Sequence, residues 1–379
     1  MQYRGMPGTH DQLSVLGFGC MRLPVSEDCA VDEALTTAII RKAIDCGVNY
    51  ADTAYFYHNG QSEVVLGRVL KDGYREKVKI ATKLPSWLIK TRQDMDSYLK
   101  EQLSRLQTEH IDYYLLHGMN KQNWANLNSL GVLEFLDAAK QDGRICHAGF
   151  SFHDDFKTFP GIVDSYKWTF CQIQYNFLDE RYQAGTAGLK YATSKGLGVI
   201  AMEPLRGGIL AKDLPGLNKV WSGSRRPAEW ALRWVWSHPE VTLLLSGMNS
   251  LQQVEENLRA ADGAHDPLSK EEQVLFDKAK SFYRDRMEVN CTGCGYCMPC
   301  PGGVDIPDCF NLYNNAKAFG EADNARRVYG IFVAGNARGA SRCTACGTCL
   351  ASCPQQIDIP EKLKAVSEYF ASDAAPSTK

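Results

Sequence analysis

No apolar run in these 379 residues approaches the roughly 18 that a membrane-crossing helix needs, and Met1 to Leu16 carries no apolar export segment. The chain is therefore expected in the cytoplasm. It also lacks an excess of charge: 42 lysines and arginines face 44 aspartates and glutamates, a formal net charge of -2, which gives no electrostatic case for nucleic acid. The basic pair Arg225 and Arg226 reads as solvated surface. A dinucleotide glycine fingerprint is missing too. Gly17-Phe18-Gly19 has no third glycine and runs straight into Cys20. No flavin motif is readable.

What the chain has in abundance is cysteine, 14 in all, nine of them in the tail. Cys20, Cys29, Cys46, Cys146 and Cys171 are scattered without spacing and read as buried or partly buried thiols. The tail holds two near-copies of one run, CTGCGYCMPCPGGVDIP from Cys291 and CTACGTCLASCPQQIDIP from Cys343. Three cysteines at two-residue intervals bring three thiolates to one cube-shaped cluster, and the fourth comes from the other copy. On that pattern Cys291, Cys294, Cys297 and Cys353 hold one [4Fe-4S] cluster, and Cys343, Cys346, Cys349 and Cys300 the second. The first copy is one residue short, since only Met298 and Pro299 separate Cys297 from Cys300. Cys309 therefore competes as eighth ligand, although Pro301 directly after Cys300 keeps Cys300 ahead. Zinc knuckles leave the third cysteine of each run without a role, and disulfides need an oxidising compartment.

The stretch between the runs is spaced for helices. Phe310, Tyr313, Ala316 and Lys317 share one face, as do Ala325, Val328, Tyr329 and Phe332. The tail resembles the alpha-helical ferredoxin domains of respiratory dehydrogenases.

Before the tail, eight apolar runs alternate with amphipathic stretches: Leu16 to Gly19, Asn49 to Asp52, Val78 to Lys83, Asp112 to His117, Ile145 to Phe150, Phe170 to Ile173, Gly198 to Met202 and Val241 to Ser246. Eight strand-helix units in this length predict an α/β fold, a closed (β/α)8 barrel over residues 1–285. A small, mostly helical iron-sulfur domain is expected over 286–379. Asp32, Pro227 and the pair Ser250 and Gln253 are placed to start helices, and Gly47 to end one.

Sites in such barrels lie where strands end at the C-terminal face. Asp52, Lys83 and His117 end the second, third and fourth predicted strands, and Tyr57 lies five residues after Asp52. Together they suit carbonyl reduction. A phenol with a pKa near 10 is a poor proton carrier at neutral pH. A neighbouring lysine is expected to lower that value, an aspartate to hold the lysine, and a histidine to donate a hydrogen bond to the substrate oxygen.

NYADTAYFYHNGQSEVVLG, IATK, YYLLH, LLLSG and VEEN, in this order, resemble the aldo-keto reductases over residues 3–283. The resemblance implies Asp52, Tyr57, Lys83 and His117 as catalytic tetrad, with a nicotinamide cofactor, NADP(H) or NAD(H), across the barrel top. It implies Ser151 and Gln174 at the carboxamide and Met202 where an aromatic ring often stacks. Phe152 departs from the family's asparagine. Gly19, Cys20 and Met21, and the loop with Glu203, Pro204, Leu205 and Gly207, fall where the family's loops touch cofactor. Ser246, Gly247, Gln253, Glu256 and Asn257 match its adenosine end, with Gly247 and Gln253 in place of basic residues that some members set against a 2′-phosphate.

Hydride transfer moves two electrons and clusters pass one. The leading expectation is an oxidoreductase acting on a small carbonyl or alcohol, with clusters wired to a partner protein, a ferredoxin or flavoprotein. The alternatives are a ferredoxin-linked reductase whose barrel binds another redox cofactor or substrate, and a non-enzymatic redox sensor or nucleotide-binding regulator.

Overall fold

Eight parallel strands close on themselves in the computed structural model, which describes residues 1–26, 30–221, 223, 225–291, 293, 295, 297–319, 322–353 and 355–371. A short antiparallel hairpin, β1 (Tyr3–Gly5) and β2 (Gln12–Ser14), comes first. The barrel strands are β3 (Leu16–Gly19), β4 (Tyr50–Asp52), β5 (Lys79–Leu84), β6 (Ile111–Met119), β7 (Ile145–Phe152), β8 (Phe170–Gln174), β9 (Gly198–Met202) and β10 (Val241–Ser246). Each neighbours the next, and β10 closes the ring against β3 and β9. All eight coincide with the apolar runs of the sequence; β5, β6, β7 and β8 run one or two residues further than expected. The hairpin escaped sequence reading because its strands are three residues long.

Between them lie α1 (Glu33–Asp45), α2 (Gln61–Val69), α3 (Arg92–Leu106), α4 (Lys121–Ser129), α5 (Val132–Gln141), α6 (Phe159–Val163), α7 (Gly185–Ser194), α8 (Pro227–Trp236) and α9 (Leu251–Ala261). Local chemistry sets their ends. Asp32 accepts from the Leu35 N–H to cap α1, and Pro227 opens α8 where an N–H has no partner in any case. The barrel interior is packed with Tyr50, Ala81, Tyr113, Leu115, Phe170, Ile200, Leu243 and Leu245, and the hairpin segment adds Met6 and Leu13. Gly198 leaves room there for the Met6 side chain, which a Cβ at this position would displace.

Contacts divide the chain into two compact units, Met1–Lys212 with Ser224–Ser269, and Asp213–Gly223 with Lys270–Lys379. The boundary expected at 285 falls at the end of α10 (Lys270–Arg284), and α10 groups with the second unit. The rest of that unit contains α11 (Ile306–Phe319), α12 (Ala322–Val328) and α13 (Ile359–Ala371) around Val304, Phe310, Tyr313, Tyr329, Val333, Leu363 and Val366. Its entry is pinned by a buried amide: Asn314 accepts from the Val289 N–H at 3.0 Å and donates to the Val289 carbonyl at 2.7 Å. One expected helix face is corrected. After α12 the chain widens into a π turn, Tyr329–Ala334, with Gly335 N–H bonded to the Gly330 carbonyl. The extra residue per turn swings Phe332 outward and puts Val333 inside in its place. No helix among the described residues is long and apolar enough to cross a membrane.

Candidate active site and cysteine cavities

Register places three of the four sequence-predicted residues at one end of three adjacent strands, and Tyr57 follows the first of them. Asp52 ends β4, Lys83 is the last residue but one of β5, and His117 stands two residues before the end of β6. Tyr57 follows β4 in a tight turn whose His58 and Asn59 adopt left-handed backbone, φ 51° and 55°. Lys83 is fully buried and donates to Asp52 Oδ1 at 2.6 Å and to the Thr53 carbonyl at 2.8 Å. Its ammonium stands 5.1 Å from the centre of the Tyr57 ring. The His117 ring is 6.1 Å from that of Tyr57 and 5.2 Å from both Phe56 and Trp87, two exposed aromatics that the sequence did not single out as site residues.

Burial governs the electrostatics here. It pushes the Tyr57 phenol up from its ordinary value; Lys83 pulls it back, Asp52 adds to the rise, and burial wins. The downward pull expected of Lys83 is present, and desolvation outweighs it, so the net shift is upward. Burial also raises Asp52 against the pull of Lys83. For Lys83 burial acts downward, yet Asp52 and then Tyr57 outweigh it and hold the ammonium above its ordinary range. Burial, followed by the Lys83 charge, holds the His117 imidazole well below its usual value, so the ring is neutral at pH 7. His117 Nδ1 and Asp52 Oδ2 are buried without a hydrogen-bond partner. Two neutral proton carriers thus flank one fixed cation. An oxygen that gains negative charge between them would be stabilised from both sides.

The sequence-predicted cofactor positions line the same end of the barrel. Gly19 ends β3, with Cys20 and Met21 in the turn after it; Cys20 is buried and Met21 is 57% exposed. Ser151 Oγ accepts from the Gly118 N–H at 2.8 Å, which fixes the backbone next to His117. Gln174, at the end of β8, gives its Nε2 to Asp179 at 3.0 Å. Asp179 also takes Asn176 and Arg206, so it anchors this rim, although its sequence neighbourhood gave no signal. Phe152 packs its ring against Phe159, 4.9 Å between centroids, so this position belongs to the core. Met202 ends β9 with its sulfur 3.5 Å from Gln172 Nε2. In the loop that follows, Pro204 and Leu205 lie between Glu203 and Arg206, both in left-handed backbone with Gly207.

On the last strand and helix, Asn257 donates to Ser246 Oγ at 2.9 Å, next to Gly247. Gln253 turns its side chain back to the Asn249 N–H at 2.9 Å while Ser250 caps its backbone. Glu256 accepts from Gln252 and pairs with Arg226. Arg226 is thus tied to the adenosine-end helix, a pairing across 30 residues that local sequence does not reveal.

A cavity of about 980 Å³, lined by Asn49, Arg75, Lys79, His110 and Asp112, opens at the opposite ends of the strands and includes none of the four residues. His110, Asp112 and Cys146 cluster there within 4.8 Å, but Arg75 already holds Asp112 at 2.8 Å, a poor setting for a cation.

In the tail the cysteines gather around two small cavities. Cys300, Cys343, Cys346 and Cys349 line one together with Cys297, Ile306 and Leu363. Cys291, Cys297 and Cys353 line the other with Ile306, Phe310 and Ile359. Each cavity therefore draws thiols from both runs. Cys294 lies outside the described residues, as does Cys29 of the scattered set. Cys309 lines neither cavity; it is fully buried in the helical core, where burial pushes its thiol up to about 12. Of the scattered set, Cys20 and Cys171 are buried as expected, whereas Cys46 and Cys146 are exposed. Converging soft donors in apolar walls fit an iron-sulfur group.

Two family profiles match the chain. The profile of the aldo/keto reductase family matches residues 15–280, and that of the 4Fe-4S dicluster domain matches 290–357. L-galactose dehydrogenase of Arabidopsis thaliana is 28% identical over 300 residues, 69% of this chain and 88% of that one. The holo form of aldo-keto reductase AKR11C1 from Bacillus halodurans superposes with a TM-score of 0.63 at 26% identity, covering 73% of this chain and 96% of that chain. An aldo-keto reductase from Klebsiella pneumoniae solved with NADPH shares the fold, with a TM-score of 0.62 at 23% identity, covering 74% of this chain and 95% of that chain. The barrel is that of an oxidoreductase. The chain belongs to the aldo/keto reductase family, and its tail is a 4Fe-4S dicluster domain.

Proposed function

We propose that the barrel interconverts a small carbonyl compound and its alcohol with a nicotinamide cofactor, and that Tyr57 is its general acid and base. The observation that carries this is the buried Lys83–Asp52 pair beneath the Tyr57 ring with neutral His117 beside it. A bound nicotinamide supplies or accepts the hydride at the substrate carbon. Tyr57 gives its phenolic proton to the substrate oxygen in reduction and recovers it in oxidation, and the raised phenol suits the proton-giving direction. Lys83 stabilises the phenolate left behind, Asp52 keeps the ammonium in place, and His117 orients the oxygen through a ring N–H. Ser151 and Gln174 are the carboxamide contacts, Met202 and the Glu203–Gly207 loop cover the cofactor's middle, and Ser246, Gln253, Glu256 and Asn257 serve the adenosine end. Glu256, held by Arg226 and Gln252, is the least available of these.

The tail holds its two clusters through Cys291, Cys294, Cys297 and Cys353, and through Cys343, Cys346, Cys349 and Cys300. Support for Cys300 over Cys309 comes from the cavity that Cys300 lines and Cys309 does not.

The test uses anaerobically purified full-length protein. NADPH and NADH binding is measured by fluorescence, and turnover of a panel of aldehydes is followed in wild type and Tyr57→Phe. Binding without turnover in the variant supports the reading; absence of binding of either nucleotide by the wild type sinks it.

A further inference from the structure

The second cysteine run sits in a stretch that has no acid. Between Asp323 and Asp358 the sequence has Arg326, Arg327, Arg338 and Arg342 but neither aspartate nor glutamate. Two of these charges are spent on carboxylates, Arg338 on Asp305 at 2.9 Å and Arg326 near Asp323 at 3.9 Å. Arg327 and Arg342 instead reach neutral acceptors, Asn324 Oδ1 and the Gly302 carbonyl. Their positive charge stands uncompensated by either contact.

The same stretch exposes large apolar side chains: Ile331 is 54% exposed, Phe332 51% and Leu350 44%. The π turn that swings Phe332 outward leaves it beside Ile331, one helical turn after exposed Arg327. Hydrogen bonds tie this turn to the cysteine loop. Arg338 donates to the Phe332 carbonyl at 2.9 Å, the Tyr329 hydroxyl accepts from the Ala340 N–H at 2.7 Å, and Arg342 bonds two residues beyond Cys300. Of the four thiols drawn into the Cys300 cavity, Cys346 is exposed and the others are half-buried. Exposed Ile331 and Phe332, with Arg327 one turn before them, thus lie in a segment that hydrogen bonds tie to the loop carrying the exposed Cys346.

We propose that this turn, Ile331 and Phe332 with Arg327 one turn before them, docks a small acidic one-electron carrier protein of the ferredoxin type. The proposal rests on the reading of the tail as a two-cluster module. An acidic partner matches the uncompensated charge of Arg327, which speeds and orients its approach. The apolar turn provides the few dry contacts that transient electron-transfer complexes use, below about 1,200 Å² of buried surface. The exchange would be of one electron: the carrier's iron would pass from Fe(II) to Fe(III), and the cluster that Cys300, Cys343, Cys346 and Cys349 would hold would take up that electron.

The test again uses the anaerobic full-length protein. Affinity for an oxidised acidic ferredoxin is measured by calorimetry, and cluster bleaching by reduced ferredoxin or reduced methyl viologen is followed by stopped flow. The Ile331→Ser/Phe332→Ser double variant and the Arg327→Glu variant should each weaken ferredoxin binding about tenfold or more, with wild-type affinity falling steeply with salt. Iron content and viologen reduction should stay at wild-type levels. Unchanged affinity in both variants overturns the proposal, as does tighter binding of the basic carrier cytochrome c than of ferredoxin. Wild-type protein without iron, or clusters that viologen cannot reduce, would instead bring down the two-cluster reading itself.

Discussion

The barrel and the tail hold their chemistry in opposite ways. At the barrel top, Asp52, Lys83 and His117 are set by strand register, and Lys83 is locked by two hydrogen bonds before any ligand arrives. In the tail the described cysteines stand mostly in turns and coil, around cavities whose remaining walls are a few side chains such as Ile306, Leu363 and Ile359. A scaffold with a large core can bear a buried charge pair and still fold. A small module with little core gains much of its order from the group it binds. Changing a functional residue should therefore silence the barrel without unfolding it, whereas in the tail it should loosen the structure.

The sharpest way to break this comparison is Tyr57→Phe. Removing the proposed acid-base group should lower kcat by a factor of about 10² to 10⁴, while nucleotide affinity and the thermal melt stay close to wild type. Lys83→Met comes next, because it leaves Asp52 buried without its cation. The loss should reach about 3 to 5 kcal/mol in urea unfolding, the one barrel change expected to act on fold and turnover together. In the tail, Cys300→Ser should cost close to half of the bound iron and expose α11 and α13 to hydrogen exchange, with Cys309→Ser keeping full iron. Equal iron in the two variants would remove the distinction between the cavity thiol and the core thiol.

The smallest effect is in pH. The folded His117 pKa lies well below its unfolded value of about 6.5, so the unfolded chain binds this proton more readily. The stability linked to His117 is complete above about pH 6.5 and declines as pH falls below it, by at most about 1.4 kcal/mol per unit. His117→Gln should flatten that slope in urea midpoints between pH 7 and 5. A slope equal to wild type would mean that the imidazole is not desolvated.

Much of this was legible in sequence because it is local. The eight strands follow from apolar runs of barrel-strand length, and Asp32, Pro227 and Ser250 start helices through contacts within three or four residues. The two cysteine runs carry their spacing openly, and the order of Asp52, Tyr57, Lys83 and His117 along the chain marks the site. Phe332 shows the limit of such reading: a helical period places it inside, and one widened turn puts it outside.

The sequence by itself determined the barrel, the helical tail and the residue types available to each site, since periodicity and spacing act over a few residues. Only the tertiary structure decided that burial outweighs Lys83 at Tyr57, that Asp179 takes the Gln174 amide, that Arg226 reaches Glu256, and that Cys300 lines a cavity with the second run while Cys309 sinks into the core. Desolvation and long-range approach are properties of the packed chain, so no stretch of sequence carries them alone.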